Sequence, residues 1–130
     1  MKSGFSAALA IALTLAACNS TPQPPPPQAA TPAPPDPATL GVSAGTVGSK
    51  LDENDRRAAG LAQLSAIESG TPKSWRGRAG AYGFIEPGKE GQRAEGVCRD
   101  YSHTIYVDGR PQTGKGLACK GQNGGWRILS

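Results

Sequence analysis

Three cysteines and a single histidine are the residues of this 130-residue chain best suited to covalent or proton chemistry, and their settings differ. Cys18 closes the tetrad Leu15-Ala16-Ala17-Cys18 after Lys2 and an apolar run through Leu13. A basic start, an apolar middle and small residues before a thiol make a bacterial lipoprotein signal, in which the thiol carries lipid. The alternative is an ordinary secretory peptide whose Cys18 merely lies near the cut. Phe5 to Ala17 is too short for a spanning helix, which needs about 20 residues. Residues 1–17 are therefore expected to be a signal peptide. Acylated Cys18 is expected to partner a lipid membrane, each buried CH₂ contributing about 0.8 kcal/mol.

Once Cys18 is assigned to lipid, Cys98 and Cys119 remain as an even pair in an oxidising compartment, and a small domain poor in large apolar residues gains from a disulfide. Metal binding would need further ligands, and only His103 is on offer without close Cys or His spacing, so no metal or cofactor is expected. Catalysis is not expected either. His103 lies on a strand beside Asp100, Tyr101 and Ser102, and neighbouring strand residues face opposite ways, so Ser102 and His103 should not meet. Glu86, Glu90 and Glu95 cluster around an apparent turn, where solvated acids are the simple expectation against paired carboxylates for glycan hydrolysis.

These residues need elements to hold them. From Asn19 to Thr39 there are nine prolines and one charge, Asp36, a composition that favours extended polyproline II geometry at about 3.1 Å per residue. It reads as a spacer; a docking site for a proline-recognising module at Pro24 to Pro27 is the rival. Gly41, Gly45 and Gly48 interrupt Leu40 to Val47, which reads as linker or an imperfect first turn, close packing against a membrane partner being the alternative. The expected organisation is thus a signal at 1–17, a lipidated Cys18 with a Pro/Gly-rich tether over 18–48, and one folded domain over 49–130. From Ser49 onward 13 Lys/Arg (14 less Lys2) face 9 Asp/Glu (10 less Asp36), a net charge of +4. Export excludes nucleic acid as a partner, and the surplus reads as solvated surface or weak attraction to anionic envelope polymers or headgroups.

One helical segment is expected, Leu51 to Glu68. Ala58, Leu61, Ala62, Leu64 and Ser65 form a stripe with Ile67 at its margin, Asp52–Arg56 and Glu53–Arg57 are i,i+4 pairs, and Gly70 ends the run. Its cap is Ser49 with Asp52, or Asp52 with Asp55. Pro72 to Ile85 is strand-like but irregular, and Glu86-Pro87-Gly88-Lys89 reads as a turn. Gly80 and Gly83 would let strands bend, pass beneath an aromatic ring, or leave backbone open to a ligand. Asp108-Gly109 is a two-residue hairpin turn. Folding there pairs residues whose numbers sum to 217, so Cys98 falls opposite Cys119 and Tyr106 opposite Pro111, both at non-hydrogen-bonded positions that suit a disulfide and a proline. Asn123-Gly124 repeats the logic with a sum of 247, setting Cys119 opposite Ile128 and Gly121 opposite Trp126. Trp126, Ile128, Cys119, Leu117 and Cys98 would then share the face beneath the helix. The other face, Val97, Arg99, Tyr101, His103, Ile105, Lys120, Arg127 and Leu129, is half apolar and is covered by Trp75 to Phe84 or by another protein. The fold class is α+β: one N-terminal amphipathic helix on a small antiparallel sheet with a cross-strand disulfide.

Leu51-Asp52-x-x-Asp55-Arg56, Trp75, Gly83-x-Ile85-x-Pro87, Gly96-x-Cys98-Arg99-x-Tyr101, Gly116-x-Ala118-Cys119 and Gly125-Trp126-Arg127-Ile128 resemble the proteobacterial outer-membrane lipoproteins typified by the rickettsial 17 kDa surface antigen. The resemblance covers about residues 45 to 130. In that family a glycine-zipper segment usually precedes the soluble domain; here only Gly41 to Gly48 stands there, and Lys120 stands where Arg commonly follows the second cysteine. The resemblance implies an envelope or surface-antigen role without an active site. A lipid-anchored structural or assembly component of the outer membrane is the expected function. The rival is a binding or inhibitory module that presents Arg99, Tyr101, His103 and Ile105 to an envelope protein or peptidoglycan.

Overall fold

The computed structural model describes residues 22–25 and 33–130. Cys18, the signal and most of the proline run lie outside them. Residues 22–25 are exposed and without regular secondary structure. Among the described residues no helix is long and apolar enough to cross a membrane.

The helix α2 (Glu53–Ser69) starts where Asp52, in extended conformation, accepts the Asp55 backbone N–H at 2.8 Å. It stops at Gly70, whose φ of 68° lets its N–H close onto the Ala66 carbonyl at 2.9 Å. Both caps match the sequence reading. Of the two charge pairs, Arg57 meets Glu53 at 3.4 Å, whereas Arg56 donates to the Leu51 carbonyl instead of meeting Asp52.

The helix packs on a five-stranded antiparallel meander, β1 (Lys73–Arg76), β2 (Tyr82–Arg93), β3 (Gly96–Val107), β4 (Arg110–Lys120) and β5 (Trp126–Ile128), in spatial order 1-2-3-4-5. The α+β architecture is as expected. Asp108 (φ 51°) and Gly109 (φ 71°) both take positive φ, which a type I′ turn requires, and the β3–β4 register runs from Val107↔Arg110 to Cys98↔Cys119. The Cys98–Cys119 disulfide joins Cα atoms 4.0 Å apart, directly opposite one another.

Four expectations give way. The β4–β5 pairing is slipped by one residue, Ala118↔Ile128 and Lys120↔Trp126. Gly124 (φ 78°) donates to the Gly121 carbonyl at 3.0 Å and Gly121 donates to the Gly125 carbonyl at 2.8 Å, so the loop holds an odd number of residues and not two. Because side chains alternate with period two, that slip turns Trp126 and Ile128 onto the opposite face from Cys119. Glu86 to Lys89 is no turn. It lies inside β2, where the register shifts between Pro87 and Glu90, and a bulge is one of the few places a strand accepts proline.

The buried side of α2 is Asp55, Ala59, Gly60, Gln63, Ala66 and Ile67, while Leu61 is 54% exposed. Small residues there bring the helix close to its neighbours, and hydrogen bonds compensate the buried polar ones. The compact unit begins at Ala33 rather than Ser49. A 3₁₀ turn (Pro37–Thr39) capped by Asp36 and a short helix α1 (Gly41–Ala44) bury Ala38, Val42 and Ser43. Residues 33–48, expected to be tether, therefore belong to the fold.

Candidate functional site

The four residues expected to form an outward binding face point inward. Arg99, Tyr101, His103 and Ile105 alternate along β3 and are 8%, 3%, 0% and 1% exposed, against the underside of α2 and the N-terminal turns. They are brought together, but as core. The face expected to be half open is the one that α2 covers, with Gln63 against His103 and Gly70 against Arg99.

His103 is held at both ring nitrogens. The Trp75 indole N–H donates to Nε2 at 2.8 Å, so Nδ1 carries the proton and donates to Gln63 Oε1 at 3.0 Å. Gln63 in turn donates to the Leu40 carbonyl at 3.1 Å. The chain of bonds ties β1, β3, α2 and the N-terminal segment together. Burial lowers the His103 pKa to about 4, since the imidazolium would be desolvated there. Beside it, burial pushes the Tyr101 phenol up to about 12, and its hydroxyl donates to the Ser130 carbonyl at 2.8 Å. Trp75 reaches His103 over Gly83: a Cβ at residue 83 would sit 2.7 Å from the indole nitrogen and 2.4 Å from the Thr104 carbonyl oxygen.

Arg99 lies at the rim of this face. It donates to the Gly88 carbonyl at 2.8 Å and to Glu90 at 3.1 Å, and stacks 5.1 Å over the Trp126 ring. The Lys120 ammonium hydrogen-bonded to Glu90 holds that carboxyl below its usual range, with Arg99 adding to the effect. Glu90 is thus tied to two cations, Glu86 lies on the far side of the sheet, and Glu95 sits beside the disulfide. The described residues hold no catalytic constellation, and His103 engages neither a nucleophile nor an acid. Glu95, Cys98 and Cys119 approach within 4.8 Å, but both sulfurs are spent on the disulfide, which leaves one carboxylate and no metal site.

The solvent-facing side of the sheet carries what sequence reasoning missed. Tyr82 and Tyr106 are cross-strand partners, and their rings stack at 4.6 Å with planes 4° apart. Arg76, opposite Tyr82 on β1, places its guanidinium 5.5 Å from that ring, and Phe84 lies 6.4 Å from Tyr106 at 37°. Tyr82 and Phe84 are each 38% exposed. Next along the strands, the Thr104 and Thr113 hydroxyls pair at 2.8 Å. Beyond them a groove of about 470 Å³ is lined by Glu86, Asp100, Ser102 and Lys115 among others, with Asp100 also paired to Arg93. The signal for this face was Gly83. A strand residue without a side chain marks where Trp75 must lie, and so sends Tyr82 and Phe84 to the other side.

Comparison with known proteins finds the chain similar to surface antigens. Over 85 residues it is 36% identical to the "17 kDa surface antigen" of Rickettsia rickettsii and to that of Rickettsia conorii, the match covering 62% of this chain and 54% of the relative. The "17 kDa surface antigen" of Rickettsia bellii is 35% identical over 89 residues, 65% of this chain and 56% of the relative. The chain thus spans about half the length of these curated relatives. No protein-family model matches it, and neither does any solved structure.

Proposed function

Because this chain is a relative of the rickettsial 17 kDa surface antigens, we propose that it is a lipid-anchored structural component of the bacterial cell envelope, held at the outer membrane by acyl chains on Cys18. The observation that carries the reading is that the sequence blocks of the resemblance are spent on scaffold. Asp52 caps α2; Asp55, 1% exposed, accepts the Arg78 and Ala79 N–H groups at 2.7 and 3.4 Å; Arg56 ties back to Leu51. Trp75, Ile85 and Tyr101 fill the core, and Cys98 and Cys119 pin two strands. The charged residues that these blocks leave exposed are Asp52, which caps α2, and Arg127. A tethered, rigid domain needs only an anchor and such a fold.

Incorporation of labelled palmitate and membrane fractionation in cells test this reading, comparing the native chain with Cys18→Ala. The native chain should be labelled and sediment with the outer membrane, and the variant should be unlabelled and soluble. A soluble native chain, or a labelled Cys18→Ala variant, overturns it. A second reading, a binding module for an envelope glycan or protein, draws support from the aromatic row on the open face of the sheet.

A further inference from the structure

We propose that the open face of the sheet binds a glycan strand of the cell wall, a polymer of amide-bearing sugars, laid from the Tyr82, Phe84 and Tyr106 rings into the groove between Glu86 and Lys115. The proposal rests on the envelope reading above, with the domain on the wall-facing side of the membrane.

The two halves of this face match the two sides of a pyranose. A sugar ring offers a C–H surface of slight positive polarity, which suits the negative face of an aromatic ring, and a rim of hydroxyl and amide groups that both donate and accept. Phe84 and the Tyr82–Tyr106 stack offer the first. Within one groove of about 470 Å³, Glu86 and Asp100 accept, the Lys115 ammonium donates and the Ser102 hydroxyl does either.

Charge favours the neutral polymer over an anionic bilayer. The groove is charge-balanced, Glu86 and Asp100 standing with Lys115 and with the Arg93 paired to Asp100, and so lacks the clustered Lys and Arg that draw a protein to an anionic bilayer. A neutral, hydrogen-bonding polymer needs no surplus of either charge.

The test uses the chain from residue 18 onward with Cys18→Ser, which carries no lipid, so its outcome is independent of anchoring. It should sediment with purified peptidoglycan sacculi and bind a soluble N-acetylglucosamine hexamer by calorimetry. Tyr82→Ala with Phe84→Ala should weaken binding about tenfold. Lys115→Ala should weaken it severalfold, and Leu61→Ala on the exposed side of α2 should leave it unchanged. An unaltered unfolding midpoint certifies each variant, and Lys115→Ala stands alone if the aromatic pair does not fold. Absence of binding to sacculi, equal binding by all variants, or binding to phosphatidylglycerol vesicles in its place overturns the proposal.

Discussion

The two faces of one sheet treat the same residue types in opposite ways. On the inner face Arg99, Tyr101, His103 and Trp75 are fastened: each polar head meets a partner within about hydrogen-bond distance, and the aromatic bodies are buried. On the outer face Arg76, Tyr82, Phe84 and Tyr106 touch mainly one another, and two of the rings remain 38% exposed. An Arg-Tyr-aromatic grouping is therefore no sign of function until its burial is known. Buried, it specifies the fold through satisfied hydrogen bonds; exposed, it is free to meet a partner.

The contrast can be broken most severely at His103. His103→Ala leaves the Trp75 N–H and the Gln63 carbonyl buried without partners and opens a cavity, and should cost on the order of 4 kcal/mol in urea unfolding. Reducing the Cys98–Cys119 disulfide, which spans 21 residues, should remove about 3 kcal/mol in the same assay. Acid attacks the inner face through the same imidazole. The folded pKa of His103, about 4, lies below its ordinary 6.5, so the unfolded chain takes up the proton first. Its contribution is complete above pH 6.5 and is lost as pH falls through about 4. Up to about 3 kcal/mol should disappear across that window, and a His103→Gln variant that still folds should lack the loss.

Smaller effects sharpen the comparison. Asp52→Ala removes the cap of α2 and should cost about 1 kcal/mol, measured as a lowered unfolding midpoint at unchanged slope. Phe84→Ser on the outer face should cost about 1 kcal/mol, the loss of a half-exposed cross-strand aromatic contact. A cost there comparable to that of His103→Ala would mean that the two faces do not differ as described.

Much of the scaffold is legible in the chain. Asp52 and Gly70 delimit α2 because caps satisfy backbone groups through residues next to them. Asp108-Gly109 sets the register of β3 on β4 for the same local reason, and the disulfide follows from counting outward. The site was harder to read. Period-two alternation divides β3 into two sets, but both contain apolar and polar members, so the pattern does not say which is inside. The buried stripe of α2 contains Asp55 and Gln63, whose partners are 23 to 40 residues away. No window of sequence holds both ends of those bonds.

By itself, then, the sequence determined the α+β class, the ends of the helix, the Cys98↔Cys119 pairing and, through Leu15 to Cys18, the expectation of a lipid anchor. Tertiary structure alone decided that Arg99, Tyr101, His103 and Ile105 face the helix, that residues 33–48 dock on the fold, and that Trp126 changes sides through one extra loop residue. Caps and tight turns are settled by groups a few bonds apart. The choice of buried face depends on which polar groups find partners when distant segments meet, and that is decided only when the whole chain packs.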